Sequence, residues 1–273
     1  MWPFGATTFK GEQNMNGNAL LVPGSRVLVT AGAAGIGRSI VDTFVAHGAR
    51  VHICDISAPD LDACARAQPS IGVTLADVSD EAAVERLFAD VTARLGGLDV
   101  LINNAGIAGP TAPIDEITTA DWKRTIDTNL TGQFFCARRA VPMLRVSSGV
   151  LLNVSSVAGR LGYAYRTPYA ATKWAIVGLS ASLAKELGEF GIRVNTLLPG
   201  VVEGPRIEKV IADRASVTGL SVEAMKAVYL ENVSLKRMVS PQDVANMALF
   251  LCSPLGKNIS GQAISVDGNV VNI

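Results

Sequence analysis

The stretch VLVTAGAAGIGRSI, residues 27–40, runs from a β-branched apolar segment through glycines at 32, 35 and 37 into a helix-like pattern. Strand, tight turn and helix in that order build an anion site, because the first N–H groups of a helix lack partners and carry its positive end. The glycine spacing reverses the G-x-G-x-x-G dinucleotide fingerprint, so spacing alone does not name the ligand. Thr30, Gly32, Gly35, Ile36 and Gly37 are the candidate contacts in this turn. Taken without its surroundings, such a turn also serves plain packing of helix on strand.

Working outward, RVLVT (26–30), RVHIC (50–54), GVTLA (72–76), LDVLIN (98–103), GVLLNV (149–154), IRVNTLL (192–198) and QAISV (262–266) read as strands. Several are apolar throughout, as a parallel sheet buried on both faces requires. Amphipathic segments fill the intervals. SDEAAVERLFADVTARL has Ser79 or Asp80 as N-cap and Gly96 at its end, and SPQDVANMALFLCS has Ser240 as cap with Pro241 in the first turn. This alternation predicts an α/β fold, a doubly wound parallel sheet of Rossmann type in three layers (α/β/α), as one domain over 25–273. Residues 1–24, rich in Gly, Asn and Thr, read as a flexible arm, in which Met15 is an alternative start. Residues 199–235 hold no strand pattern but two helix-like pieces, PRIEKVIADRA and SVEAMKAVYLENV. An insertion of that length after a strand's carboxyl end reads as a substrate lid.

Lys and Arg number 24, as do Asp and Glu, so the formal charge is 0 and neither nucleic acid nor an anionic membrane is an expected partner. No apolar run reaches the length of a membrane span, and MWPFGATTFK is not a secretory signal. Four cysteines, Cys54, Cys64, Cys136 and Cys252, lack any CxxC pairing and read as reduced thiols of a cytoplasmic protein. With His47 and His52 as the only histidines, neither a histidine triad nor a His-rich metal site is available, and no metal is expected.

Asp55 stands eighteen residues after Gly37, at the end of the second strand. A carboxylate there accepts both hydrogen bonds of an adenosine ribose diol and repels a 2′-phosphate, so the expected cofactor is NAD rather than NADP. Arg38 is the opposing signal and reads better as part of a solvated helix face. After the third strand, Asp77 and Val78 are placed to meet adenine, although Asp77 suits a turn cap equally well. In NNAG after the fourth strand, Asn103, Ala105 and Gly106 combine small size with amide chemistry, which suits close backbone approach to adenosine.

Tyr169 and Lys173 are four apart in a helical pattern and so share a face. Taking a phenol from about 10 to about 7 needs roughly 4 kcal/mol. One ammonium about 4 Å away at an effective dielectric near 20 supplies about 4 kcal/mol. The pair is therefore competent to make a tyrosine into a proton acceptor, with a serine hydroxyl alongside to hold a substrate oxygen. An amphipathic surface helix explains the same spacing without chemistry.

TAGAAGIG, NNAG, Asn129 in TNLTG, the serine of NVSS, YAATK, the LLPG turn and ISGQAISVDG together resemble the short-chain dehydrogenase/reductase family over residues 26 to 270. The resemblance implies a Rossmann domain with bound nicotinamide dinucleotide and assembly as a homotetramer or homodimer. It assigns the acid/base to Tyr169, a pKa-lowering and ribose-binding role to Lys173, the substrate-holding hydroxyl to Ser156, and a water linking Lys173 to solvent to Asn129. It places Pro199, Gly200 and Val202 beside the nicotinamide. Two positions depart from the family's pattern. Ala31 replaces the first glycine of T-G-x-x-x-G-x-G, with Gly32 next door to absorb strain, and Gly204 stands where a threonine usually contacts the carboxamide.

The expected activity is NAD-dependent hydride transfer between nicotinamide and a small polar secondary alcohol or ketone: a sugar, sugar acid or hydroxy acid. Ala158, Arg160, Tyr163, Arg166, Glu203 and Arg206 are the candidate substrate contacts; the arginines suit a carboxylate, phosphate or sulfonate. A 3-oxoacyl thioester reductase is the alternative enzyme, and a non-catalytic nucleotide-binding or scaffold protein the alternative of another class.

Overall fold

The computed structural model describes residues 20–272. The expected arm lies outside the described residues up to position 19, Met15 included. Its last residues are held to the domain: the Leu20 N–H donates to His47 Nδ1 at 3.2 Å, and Leu21 is buried.

Seven strands form one sheet: β1 Arg26–Thr30, β2 Arg50–Asp55, β3 Gly72–Leu75, β4 Val100–Asn103, β5 Val150–Val154, β6 Arg193–Pro199 and β7 Ala263–Val266. Their order is β3-β2-β1-β4-β5-β6-β7 and every pairing is parallel. Each expected strand is present, the first with the same ends and the others with an end moved by one or two residues.

Strand alternation splits the apolar residues between two cores. Val27 and Val29, Val100 and Ile102, and Val150 and Leu152 face one layer with α1 (Gly35–Ala46), α2 (Ala58–Ala67) and α9 (Pro241–Cys252). Leu28, Leu101 and Leu151 face the other, with α3 (Glu81–Leu95) and α5 (Gly132–Ser147). Both faces are thereby dry, which is why each of these strands carries an unbroken apolar run, 27–29, 100–102 and 150–152. The remaining helices are α4 (Thr119–Ile126), α6 (Thr167–Leu187), α7 (Pro205–Thr218) and α8 (Val222–Glu231).

Caps follow the chemistry of the sequence. Asp80 caps α3 by accepting from the Ala82 N–H, and Gly96 ends it in the left-handed region. Ser240 and Asp243 form a reciprocal capping box at α9. The insertion after β6 folds as α7 and α8, whose Val210, Ile211, Ala215, Met225 and Tyr229 pack with Val157 and Val201 into a small third core. Among the described residues no helix is long and apolar enough to cross a membrane.

The strand order reverses between β1 and β4, which opens a crevice at the carboxyl edge of the sheet. The glycine turn after β1 and the loop after β4 form its two lips.

Candidate active site

A cavity of about 530 Å³ occupies this crevice, bounded by the ends of β1 to β6 and by the α7–α8 insertion. At its β1 end, α1 begins without a side-chain cap, so the N–H groups of Gly35, Ile36 and Gly37 meet the cavity unpaid by any side chain. A Cβ on Gly37 would lie 2.0 Å from the Ala31 carbonyl oxygen, and Gly35 has φ +54 with open space where a Cβ would point. Only glycine gives this turn its close approach of backbone to an anion. Gly32 has a different role. Its missing Cβ makes room for Ile53, 2.7 Å from where that atom would sit, and it lies off the cavity wall.

Ala31 itself takes φ +50. Gly32 does not absorb the strain; the alanine carries it, at a cost of about 1 kcal/mol. The Ala31 carbonyl is held in place by Asn104 Nδ2 at 3.1 Å.

Asp55 sits on the wall at the end of β2. Its Oδ2 accepts from the Ala33 N–H at 3.2 Å and its Oδ1 from the Ile56 and Ser57 N–H groups at 2.8 and 3.2 Å. These bonds lock the carboxylate at the mouth where an adenosine ribose would lie. Arg38 is tied to Asp42 by an ion pair at 2.9 Å and is absent from the wall. Asp77 lines the cavity and caps its own turn, accepting from the Ser79 N–H and hydroxyl. Val78 is on the wall beside it.

The NNAG loop is displaced by one residue from expectation. Asn103, the last residue of β4, is buried in the core, where its Nδ2 donates to the Gln133 carbonyl and to Asn153 Oδ1. Asn104 lines the cavity instead, and its Nδ2 bridges the carbonyls of Thr30 and Ala31. Strand parity explains the shift: Asn103 shares the face of Leu101, which looks into the α3–α5 layer. Thr30 is likewise a brace, its Oγ1 accepting from the Asn104 and Ala105 N–H groups at 3.0 and 2.9 Å. Ala105, Gly106, Pro199, Gly200 and Val202 all line the cavity.

On the far side, β5 delivers Ser155 and Ser156 and α6 delivers Tyr169 and Lys173 into the same space. Ser155 spends its hydroxyl on the Lys173 carbonyl at 2.7 Å, which leaves Ser156 as the serine bonded to Tyr169. Lys173 is buried, donates to the Val154 carbonyl at 3.1 Å, and its Nζ lies 5.5 Å from the Tyr169 ring centroid. Burial alone would raise the Tyr169 phenol. Lys173, the Ser156 hydrogen bond, Arg166 and Arg206 outweigh it and hold the group below the usual tyrosine range. Lys173 is lowered as well, chiefly by burial, with Tyr169 opposing and Arg206 adding to the shift.

Asn129 lies in a π-helical turn, Asp127–Thr131, between α4 and α5. Its Oδ1 accepts from the Ile107 N–H at 2.7 Å and its Nδ2 donates to the Ile107 carbonyl and Thr172 Oγ1. A Cβ on Gly106 would meet Asn129 Oδ1 at 3.1 Å and Lys173 Nζ at 3.6 Å, so a glycine is what lets these groups crowd together.

Of the substrate candidates, Tyr163, Arg166, Glu203 and Arg206 line the cavity. Ala158 and Arg160 do not. Ala158 is fully buried, and Arg160 turns away to pair with Asp267 at 2.5 Å and the Val270 carbonyl. Tyr163 hydrogen-bonds Tyr229 of α8, a wall residue whose helical spacing gave no separate signal. Arg206 reaches from α7 to the Gly106 carbonyl at 2.7 Å.

The comparisons agree with this geometry. The family model described as "Enoyl-(Acyl carrier protein) reductase" matches residues 31–270. A galactitol 2-dehydrogenase of Agrobacterium fabrum is 37% identical over 244 residues, 88% of this chain and 95% of the relative. A 3-oxoacyl-[acyl-carrier-protein] reductase of Chlamydia muridarum is 35% identical, covering 93% of this chain and 99% of the relative. Among solved structures, an actinorhodin polyketide ketoreductase variant with NADPH superposes with a TM-score of 0.87 at 30% identity, over 92% of this chain and 98% of that one. The chain therefore belongs to the short-chain dehydrogenase/reductase family and is an oxidoreductase of CH–OH or C=O groups.

Proposed function

We propose that the protein is an NAD-dependent dehydrogenase of a small polar secondary alcohol, a sugar, sugar acid or hydroxy acid, with Tyr169 as acid/base. The observation that carries this reading is the convergence of Ser156, Tyr169 and Lys173 on one cavity whose other end presents a bare helix start and a locked Asp55. The residues present fit a nicotinamide dinucleotide. Gly35, Ile36 and Gly37 would hold the pyrophosphate, Asp55 the adenosine ribose, Asp77 and Val78 the adenine, and Lys173 the nicotinamide ribose. When bound, the nicotinamide accepts or returns the hydride.

The chain's own groups handle the proton. Ser156 Oγ holds the substrate oxygen beside the Tyr169 hydroxyl. Tyr169, ionised with help from Lys173, takes the alcohol proton as the carbinol carbon becomes trigonal, and returns it in the reverse direction. Asn129 fixes the Ile107 backbone and the α4–α5 turn next to Lys173, where a water would link the amine to solvent.

NAD is preferred because a 2′-phosphate would be set against the Asp55 carboxylate, whose three N–H partners prevent it from swinging away. Val202 or backbone N–H groups near Gly204 would orient the carboxamide in place of a threonine. Four free, buried cysteines support a cytoplasmic setting. Partly exposed Trp122, Phe134 and Trp174 on α4, α5 and α6 support assembly as a homotetramer or homodimer.

The test is NAD reduction with a panel of polyols, sugar acids and hydroxy acids, using Tyr169→Phe as control. Turnover that falls at least about 1,000-fold in the variant supports the reading; unchanged turnover removes Tyr169 from its role. The second reading, reduction of a 3-oxoacyl thioester, draws on relatives of that name at 34–35% identity. NADPH-dependent turnover of acetoacetyl-CoA exceeding that of every alcohol would favour it.

A further inference from the structure

Arg166 is the largest fully buried side chain of the described residues, 2% exposed, and it forms no ion pair. Its Nη2 donates to the Ala108 carbonyl at 2.7 Å, while Nε and Nη1 are sealed from solvent without a hydrogen-bond partner. Its guanidinium carbon lies 4.9 Å from the Tyr169 ring centroid and 5.1 Å from that of Tyr163. The backbone is bent to achieve this. Tyr165, immediately before it, takes φ +64, a left-handed conformation that a bulky residue rarely adopts, and its carbonyl is pinned by the Ala112 N–H at 2.9 Å.

A guanidinium stays charged at every accessible pH. Buried and without a carboxylate partner, its charge is weakly screened, and its field falls on the two phenols that it faces, Tyr169 and Tyr163. Of these, Tyr169 also faces Lys173 and has the proposed acid/base role. Arg166 lines the cavity, but its Nη2 is held by the Ala108 carbonyl and its Nε and Nη1 are buried, so it faces the phenol rings rather than presenting a free fork to a substrate. We propose that Arg166 is a positioning residue for proton transfer: a second fixed cation which, together with Lys173, stabilises the ionised form of Tyr169. This rests on the acid/base role of Tyr169 given above and adds to it a residue outside the family's motif.

The other polar and charged groups facing Tyr169 are Ser156 from the end of β5, Lys173 one turn along α6, Arg206 from α7 and the Tyr163 hydroxyl-bearing ring from the preceding loop. Arg124 and Glu203 lie farther along the wall, and Asp55 and Asp77 line its adenosine end. Cations therefore dominate the surroundings of the phenol. Tyr163 itself goes the other way, raised above the usual range by burial and by Tyr229, so the two neighbouring phenols are pushed apart.

The test is spectrophotometric titration of tyrosinate in the full chain, which has four tyrosines, so that no substrate is needed. Wild type is expected to show one early ionisation step, absent in Tyr169→Phe. In Arg166→Met the step moves to higher pH, with the ionised fraction on its steep limb falling about tenfold, and in Arg166→Lys it largely returns. A step at the wild-type position in Arg166→Met overturns the proposal, and so does an early step that survives in Tyr169→Phe. Should Arg166→Met fail to fold, titration of Arg166→Lys and Arg166→Gln decides: a charge-dependent difference supports the field, and identical steps overturn it. The acidic limb of alcohol oxidation by NAD is expected to follow the titration. A step that shifts with Arg166 in a protein that oxidises no alcohol would leave this inference standing and sink the hydride-transfer reading.

Discussion

Ala31 shows how one methyl group reads at the residue scale. With φ +50 it occupies a conformation that costs an L-residue about 1 kcal/mol relative to glycine. Ala31→Gly relieves that strain but loosens the unfolded chain by about 0.4–1 kcal/mol, so the expected net gain is small, about 0–0.6 kcal/mol, read from the denaturant midpoint at constant slope. A lower midpoint would mean that the methyl group packs to more effect than the strain costs. His52 makes a second case. Its Nε2 lies 2.9 Å from Thr74 Oγ1, whose single proton goes to Asp90 at 2.7 Å, so Nε2 must carry the hydrogen and Nδ1 is the bare nitrogen. Burial, only partly offset by Asp90, lowers the ring to about 4. Between the ordinary value near 6.5 and about 4, the unfolded chain binds a proton that the folded one refuses. Stability is therefore full above that window and falls as pH drops through it, by up to about 1.4 kcal/mol per pH unit. His52→Gln should flatten that part of a stability-against-pH curve, measured by urea unfolding at pH 7, 6 and 5. An unchanged slope would assign the acid sensitivity to other groups.

At the scale of elements, the α7–α8 insertion is fastened to the crevice by few bonds. Tyr229 on α8 meets Tyr163 through their hydroxyls, and Arg206 on α7 holds the Gly106 carbonyl. Tyr229→Phe takes the partner from the half-buried Tyr163 hydroxyl, which costs about 0.5–1.5 kcal/mol. That loss is expected locally: amides of Val222–Glu231 exchange faster while those of β1, β4 and β5 keep their protection. Uniform acceleration would show instead that the insertion unfolds only with the sheet. These helices were legible in sequence because an interval without strand pattern stood after a strand end. Their partner contacts were not, since Tyr163 and Tyr229 are 66 residues apart and nothing local couples them. The strands were legible for the opposite reason, dryness on both faces forcing unbroken apolar runs. Arg160 and Asn103 failed as site residues for lack of direction: the sequence locates a side chain along the chain, whereas the Asp267 ion pair and strand parity decide where it points. Tyr169 and Lys173 reach the cavity together because four-residue spacing fixes direction within a helix.

For the whole molecule, the crevice at the β1–β4 reversal divides stability from chemistry. The two apolar layers cover the opposite faces of the sheet, while the uncapped start of α1, Asp55 and the Tyr169–Lys173 pair gather at its carboxyl edge. A dinucleotide laid along that edge would contact groups from both halves of the sheet, and would bind the folded chain alone. Its binding energy therefore adds to folding stability. At a free concentration one hundred times its Kd, NAD should contribute about 2.7 kcal/mol, which for a domain of this size raises Tm by roughly 5–10 °C. On the proposed reading of Asp55, NADP at the same concentration should shift Tm much less, because its extra phosphate would meet a carboxylate fixed by three backbone N–H groups. Asp55→Ser removes that clash and the ribose acceptors together, so the two shifts should converge, the NAD shift falling as the NADP shift rises. A larger shift with NADP in the unaltered protein would overturn the assignment of Asp55. An NAD shift that survives Asp55→Ser undiminished would show that the pyrophosphate turn supplies nearly all of the affinity.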